Sequence, residues 1–205
     1  MPSTLVESLG AAYGEPVTAE DVFDTILCLL SAVSYTRRFA EDLEDVFPHI
    51  PFPARHAVFE DAARIGREIR AVETFARQPG ETYRRPGFAR VLTQPRGAVA
   101  RVEYADGAIT LCGDGTGRIT GIPEAVWGFA VSAYRLLPRW IESRVGLPAD
   151  LDLVMELRDI CGRIAELIDL FAVADTVLQA ALRETLSRAV LGFEAGGQDG
   201  DGGSD

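Results

Sequence analysis

The sequence predicts an α+β fold, mainly helical, with a small antiparallel β-sheet of three or four strands in the middle of the chain. Three observations lead there. Apolar residues recur at spacings of three and four through most of residues 19–78 and again through 122–192. Between these stretches, residues 84–121 break into short β-branched runs separated by turn residues. The chain has 205 residues and 47% apolar content, enough for one domain with a sizeable core. The predicted organisation is a loose lead-in over residues 1–18 and a single domain over 19–192. That domain comprises a helical part (19–78), the sheet (84–121) and a second helical part (122–192). A disordered acidic tail follows over 193–205.

The first helix opens at Thr18, a suitable N-cap, and continues as AEDVFDTILCLLSAV with acids in its first turn. Val22, Ile26, Leu29, Leu30 and Val33 form its expected buried stripe. Ser34 reads as a second N-cap, for YTRRFAEDLEDVF, with Phe39, Leu43 and Val46 or Phe47 on the apolar face. The next stretch, FPHIPFP, carries three prolines. Each fixes its own φ, lacks a donor and pushes its predecessor toward extended geometry, so the helix must stop. The strap can present Phe47, Ile50 and Phe52 to neighbouring helices. From His56 to about Gln78 one long helix is expected, with Val58, Phe59, Ala62, Ile65, Ile69, Val72 and Phe75 inward. Gly66 lies in its middle, at a cost of about 1 kcal/mol relative to alanine. A close contact with another element would justify it.

FARVL, AVARVEYA, AITLCG and GRITG are the expected strands. Asp106-Gly107 is a type I′ hairpin signal. GDGTG, at 113–117, resembles a phosphate loop only superficially: it lacks the lysine and the following helix, and it joins two strands, so it reads as a turn. IPEAVWGFAVSAYRLLPRWIESRVG returns to helix. Pro123 is placed in a first turn, and Pro138 starts a separate short helix with Trp140. Asp150 to about Asp175 is a long amphipathic helix, and TVLQAALRETLSRAVLGF continues helically.

The net charge is −11, which by itself disfavours nucleic acid. Its distribution is uneven. All basic residues are arginine. Residues 1–83 hold 7 Arg against 14 acids, residues 84–144 hold 9 against 5, and residues 145–205 hold 4 against 12. Arg84, Arg85, Arg90, Arg96 and Arg101 fall within nineteen residues that contain no acid. One reading is a solvated loop in an arginine-preferring protein. The other is a surface that faces phosphates or reads bases, since the guanidinium fork matches both phosphate and guanine.

Other chemistry is not apparent. Cys28, Cys112 and Cys161 are far apart with no CxxC, and read as reduced cysteines of a cytoplasmic protein, with Cys28 and Cys161 in helix cores. They and two histidines make no metal-ligand cluster. No apolar run is long enough to span a membrane, and the N-terminus does not read as a signal peptide. His49 and His56 read as capping or packing residues, and Glu41, Asp42 and Asp45 as a solvated helix face. No catalytic residue and no cofactor are expected. The Asn/Asp-Pro-Pro-aromatic motif of amino-methylating enzymes is missing, and so is a GxGxxG turn.

Two stretches resemble the C-terminal specificity domain of type ISP restriction–modification enzymes. LLSAVSYTRRFAEDLEDVFPHIPFP (29–53) is similar to the segment that opens that domain, with His49 in place of the usual basic residue. VEYADGAITL through GRITGIPEAVWGFAVSAYRLLPRWIESRVG (102–146) is similar to its second block. Gly121, Pro123, Val126, Trp127, Tyr134, Trp140 and Arg144 hold the motif positions, and Ala133 stands where the family tends to have glycine. The resemblance extends over roughly residues 19–175. It implies a DNA target-recognition role, with double-stranded DNA as partner; the missing catalytic motifs make that role non-catalytic, and the acidic remainder of the chain makes binding by the isolated domain weak. The DNA-binding candidates are Arg84, Arg85, Arg90, Arg96, Arg101, Arg118 and Arg144. A methyltransferase- or nuclease-bearing partner chain is also implied. The alternative is an interaction module that docks a separately encoded methyltransferase and binds little DNA itself, its acidic helices facing the partner or solvent.

Overall fold

The computed structural model describes residues 3–39, 49–131 and 134–193. In chain order the elements are α1 (Ser3–Tyr13), α2 (Ala19–Ser31), α3 (Val33–Arg38), α4 (His56–Glu73), β1 (Arg90–Val91), β2 (Ala108–Thr110), β3 (Arg118–Thr120), α5 (Glu124–Gly128), β4 (Ala130–Val131), β5 (Tyr134–Arg135), α6 (Leu136–Glu142) and α7 (Leu151–Ala181). The predicted α+β class, mainly helical with a small antiparallel sheet, is the observed one. The chain divides into two compact units, Met1–Glu68 with Phe171–Asp205, and Ile69–Leu170.

In the first unit, Thr18 caps α2 through a capping box. Its Oγ1 accepts from the Asp21 amide at 3.1 Å while the Thr18 amide donates to Asp21 Oδ2 at 3.2 Å. The buried face of α2 is not the predicted stripe. Val22 and Leu29 are buried, but Leu30 and Val33 are exposed, and Asp24 and Thr25 are buried instead. The reason is a close crossing with α4. A Cβ built on Gly66 would collide with the Asp24 backbone, so only glycine lets the two helices approach there. Thr25 fits because its hydroxyl donates to the Phe59 carbonyl at 3.4 Å, and Asp24 faces Arg67 Nε at 3.6 Å.

Ser34 does not cap a helix. Its amide and hydroxyl both donate to Asp175 Oδ1, at 2.8 and 2.7 Å. The helix expected after it is described only to Arg38. Leu43, Val46, Phe47, and the acids Glu41, Asp42 and Asp45 lie outside the described residues.

The end of the proline strap is fully engaged. Phe52 is buried beside Leu5, Leu9, Val22, Phe59 and Leu191, with Ile50 packed against them. The His49 carbonyl accepts from the Tyr35 hydroxyl (2.8 Å) and the Pro53 carbonyl from the Tyr13 hydroxyl (2.7 Å). Pro53 pairs antiparallel with Thr185. The Ala54 amide donates to the Glu184 carbonyl and the Leu186 amide to the Phe52 carbonyl, both at 2.9 Å. This pairing explains two departures from expectation. The helical run predicted over 176–193 stops at Ala181, because residues 184–186 spend their backbone groups on the strap. The lead-in is a helix, α1, because Leu5 and Leu9 complete the same core.

In the second unit, β1, β3 and β2 form an antiparallel sheet in that order, with Arg90 opposite Thr120, Ile109 opposite Ile119 and Thr110 opposite Arg118. Ile109, Leu111 and Ile119 pack into a core with Val126, Leu137, Ile141 and the face of α7 bearing Leu153, Leu157, Cys161 and Ile164. Each such side chain contributes roughly 1.5–3 kcal/mol by leaving water. Asp106 and Gly107 take φ of +52° and +73°, as a type I′ turn requires, and Ala105 and Ala108 exchange both backbone hydrogen bonds.

The strand expected over 98–105 forms only isolated bridges. Val99 pairs with Cys112 and Ala105 with Ala108, so six residue steps face four and the segment bulges between them. The GDGTG stretch is a turn, as expected: the Asp114 carboxylate accepts from the Thr116 amide and hydroxyl. The helix expected after Pro123 is interrupted. α5 ends at Gly128, β4 pairs with β5, and α6 then carries Pro138 in its first turn, where the missing amide costs nothing.

The long helix expected to Gln78 ends at Glu73. Phe75 is not on the buried face. It adopts φ +59° and is 61% exposed. What stops α4 is a residue far away in sequence: Arg163 of α7 is buried and donates to the carbonyls of Val72 and Arg77, both at 2.9 Å.

Candidate functional site

The two faces of the three-stranded sheet follow from its register. Ile109 and Ile119 point inward. Alternation then places Arg90, Thr120, Arg118 and Thr110 on the opposite face, where Arg90 and Arg118 are exposed. The Arg118 amide donates to Thr93 Oγ1 (2.9 Å), and its carbonyl accepts from Leu92 (2.8 Å), which fixes the chain after β1 against β3. Arg96 stands beside the 113–117 turn. Its amide donates to Thr116 Oγ1 at 3.0 Å and its side chain is exposed. The Asp114 carboxyl in that turn is held below its ordinary pKa, chiefly by the Thr116 hydroxyl. Arg101 is exposed one residue beyond Ala100, whose amide donates to the Leu111 carbonyl at 2.7 Å.

Arg84 and Arg85 follow a short 3₁₀ turn at Glu81–Tyr83, and both are exposed. Arg85 Nη1 donates to the Thr82 carbonyl at 3.2 Å. A row of polar side chains on α7 holds the chain that leads into these arginines. Asp159 accepts from Arg163 Nε at 2.6 Å. Glu166 accepts from Arg77 Nη2 (2.7 Å) and the Gly80 amide (3.0 Å), and Asp169 from the Tyr83 hydroxyl (2.6 Å). These acids were expected to face solvent or a partner. Glu166 is instead buried, because it satisfies the backbone and the arginine of the segment packed on it. On the other side, Gly121 at φ +74° lies so close to the Gly87 carbonyl that a Cβ would collide with it, and the Gly121 carbonyl accepts from Ala89 at 3.2 Å. The arginine-bearing segment is therefore pinned at both ends.

Pairing divides the arginines of this unit. Arg77, Arg139, Arg144 and Arg163 are in ion pairs. Arg84, Arg90, Arg101 and Arg118 have no side-chain hydrogen bond or ion pair among the described residues. Arg144, the candidate taken from the second motif block, is committed within the fold. It lies 3.7 Å from the Trp140 ring centroid, donates to the Trp140 carbonyl at 3.1 Å and pairs with Glu156 at 3.4 Å. The other motif aromatic, Trp127, is partly buried, stacks on Tyr104 at 5.1 Å and carries Arg135 at 5.7 Å. Ala133 lies outside the described residues.

One half-buried basic group escaped the sequence reading. Arg158, on α7, stands beside Arg84 and also beside Arg90. Counting charge by segment hid it, since its third of the chain is strongly acidic. A signal was available: Leu151, Met155 and Arg158 share a helix face that does not belong to the buried stripe.

The remaining reactive types are built into packing. Cys28, Cys112 and Cys161 are buried and free, and burial pushes the Cys28 and Cys161 thiols up to about 12. His56 packs on Tyr13 with ring centroids 5.1 Å apart. No group of acids, histidines and cysteines among the described residues could hold a metal ion, and none of their helices is long and apolar enough to cross a membrane.

Comparison with known proteins adds the family. Residues 2–167 match the family model of the Type ISP C-terminal specificity domain. A search of curated proteins finds no match. Among solved structures, the chain is similar to a nuclease-deletion mutant of the Type ISP restriction-modification enzyme LlaGI in complex with a DNA substrate mimic. The TM-score is 0.50 and the identity 16%, over 80% of this chain and 14% of that one. It is also similar to the ATP-dependent Type ISP restriction-modification enzyme LlaBIII bound to DNA, with TM-score 0.52 and identity 17%, over 80% of this chain and 11% of that one. At such identities the likeness is one of fold, and the chain spans a small part of either enzyme's length. The family match is broader: it takes in most of the chain and both motif blocks, and by it the chain belongs to the Type ISP C-terminal specificity domain family.

Proposed function

We propose that the chain is a non-catalytic DNA target-recognition domain and that its DNA-facing surface is the outer face of the three-stranded sheet with the loops beside it. The observation that carries this reading is the set of exposed arginines without a side-chain partner among the described residues, Arg84, Arg90, Arg101 and Arg118, in a unit where Arg77, Arg139, Arg144 and Arg163 are held in ion pairs. Unpartnered guanidinium groups on a small, pinned sheet suit contacts to phosphates and base edges. Arg85 and Arg96 extend the surface. Arg144 acts by holding Trp140 and α7 rather than by reaching DNA. The family and the DNA named with both related enzymes support the reading. The net charge of −11 opposes affinity, so binding by the isolated chain is weak and salt-dependent. Replacing Arg96, Arg101 and Arg118 together with alanine is expected to lower duplex affinity at low salt by about 10²-fold. The slope of log K against log salt should fall by roughly 3. Unchanged affinity, measured by fluorescence anisotropy, would remove the sheet face as the DNA surface.

A second reading, docking of a separately encoded methyltransferase or nuclease chain, is favoured by one observation. An apolar depression of about 180 Å³ is lined by Phe129, Val131, Leu136, Ile160, Ile164 and Leu167, with exposed Phe75 at its rim. That reading predicts that the triple arginine variant binds its partner chain as the parent does.

By the same reading this chain alone carries out no chemistry. S-adenosylmethionine is expected to leave the melting temperature unchanged at millimolar concentration. A site filled to 100 times its Kd would add about 2.7 kcal/mol of stability, a rise of roughly 5–11 °C, and a shift of that size would overturn the non-catalytic assignment.

A further inference from the structure

Two adjoining depressions flank the first turns of α7. One, of about 270 Å³, is lined by Arg90, Val91, Leu151, Met155 and Arg158 among others. The other, of about 130 Å³, is lined by Arg84, Phe88, Met155, Arg158 and Asp159 among others. They share Met155 and Arg158, so three arginines, two from the 84–91 segment and one from α7, line one concave surface. None of the three has a side-chain hydrogen bond or ion pair among the described residues. Asp159 is the acid in the lining, and its carboxylate is taken up by Arg163 at 2.6 Å. The positive charge of the cleft is thus uncompensated. Like charges around a concave, low-dielectric surface focus the field and favour an anion. Arginine matches phosphate with two parallel donors. The floor is apolar, with Leu151 61% and Met155 54% exposed, a surface suited to sugar faces rather than to further charge.

We propose that this cleft grips the sugar–phosphate backbone of one DNA strand and that Arg158 is a phosphate-contacting residue, an assignment that rests on the DNA-recognition reading above. The contact positions the domain on the duplex and carries no sequence information. It extends the surface from the sheet onto α7, a helix whose charge alone argues against such a role. Pinning of the 84–91 segment by Glu166, Asp169 and Gly121 then has a purpose: it fixes Arg84 and Arg90 opposite Arg158.

The test uses the full chain, fluorescently labelled duplexes of several unrelated sequences, and a salt series. R158A is expected to weaken binding about fivefold on every sequence and to lower the salt slope by about 1, while R158K keeps most of the affinity and the slope. Unchanged affinity and slope in R158A, alongside loss of binding in the Arg96, Arg101 and Arg118 variant, would overturn the cleft and leave the sheet reading standing. An R158A loss confined to one sequence would make the residue a base reader and overturn the phosphate assignment. If neither variant changes binding, the cleft and the sheet reading both fall.

Discussion

Gly66→Ala is expected to destabilise the protein by about 3 kcal/mol or more, although alanine is the better helix former by about 1 kcal/mol. The added methyl group would meet the Cα, carbonyl carbon and oxygen of Asp24, which are backbone atoms and cannot rotate away. α2 would have to shift off α4. Three features depend on the present approach: the burial of Asp24 and Thr25, the Thr25 hydrogen bond to the Phe59 carbonyl, and the pairing of Arg67 with Asp21 (3.0 Å) and Asp24 (3.6 Å). For a chain of this length the melting temperature should fall by roughly 6–12 °C, read by circular dichroism. An unchanged or raised melting temperature would show that the crossing is looser than described. A serine at the same place carries the same Cβ and should do no better.

Arg163→Ala is expected to cost about 3–5 kcal/mol. The side chain is buried and does four things at once. It pairs with Asp159 at 2.6 Å, donates to the Val72 and Arg77 carbonyls, and stacks 4.0 Å from the Phe75 ring centroid. Alanine leaves the Arg77 carbonyl without a donor, the Val72 carbonyl with only the long bond from the Phe75 amide (3.4 Å), a carboxylate without its cation and a left-handed Phe75 without its cation–π contact. The loss should be concentrated after α4. Amides from Thr74 to Gly80 should exchange with solvent far faster in the variant, with protection of α2 little changed. Arg163→Lys restores the charge but lacks the planar fork, so it should recover only part of the loss. If the alanine variant melts within a degree or two of the parent, α4 is terminated by its own sequence and not by α7. A corollary concerns function: the loosened segment leads into Arg84 and Arg85, so duplex binding should weaken as well.

Local patterns told most where the decisive partner was near in sequence. Thr18 and Asp21 form the capping box three residues apart. Asp106-Gly107 makes its turn from two residues. Val58, Phe59, Ala62, Ile65, Ile69 and Val72 bury one face of α4 as their spacing requires. Gly66 was legible as a close approach, though not as an approach to Asp24. The same local logic failed where a distant group outbid it. Ser34 has the composition of a cap, but Asp175, 141 residues on, takes both its donors. Phe75 continues a helical period, but Arg163 ends the helix two residues earlier. Thr185 and its neighbours have helical composition, yet the strap offers them β-type partners.

For the candidate site, the chain by itself determined the presence of an arginine-rich, acid-free stretch within an acidic protein and the two motif blocks that mark its family. Both are properties of order along the chain, and no folding is needed to read them. Only the tertiary structure decided which arginines remain free. Arg144 and Arg163 look the same as Arg118 and Arg158 in sequence; the first two are drawn into Trp140, Glu156, Asp159 and two carbonyls, and the last two are not. The tertiary structure also placed Arg158 with Arg84 and Arg90, across more than sixty residues of chain. The physical reason is that a guanidinium group's availability is set by the acceptors within about 4 Å of it. Those acceptors come mostly from elements far away in sequence, so charge patterning can locate basic residues but cannot say which of them have already been spent.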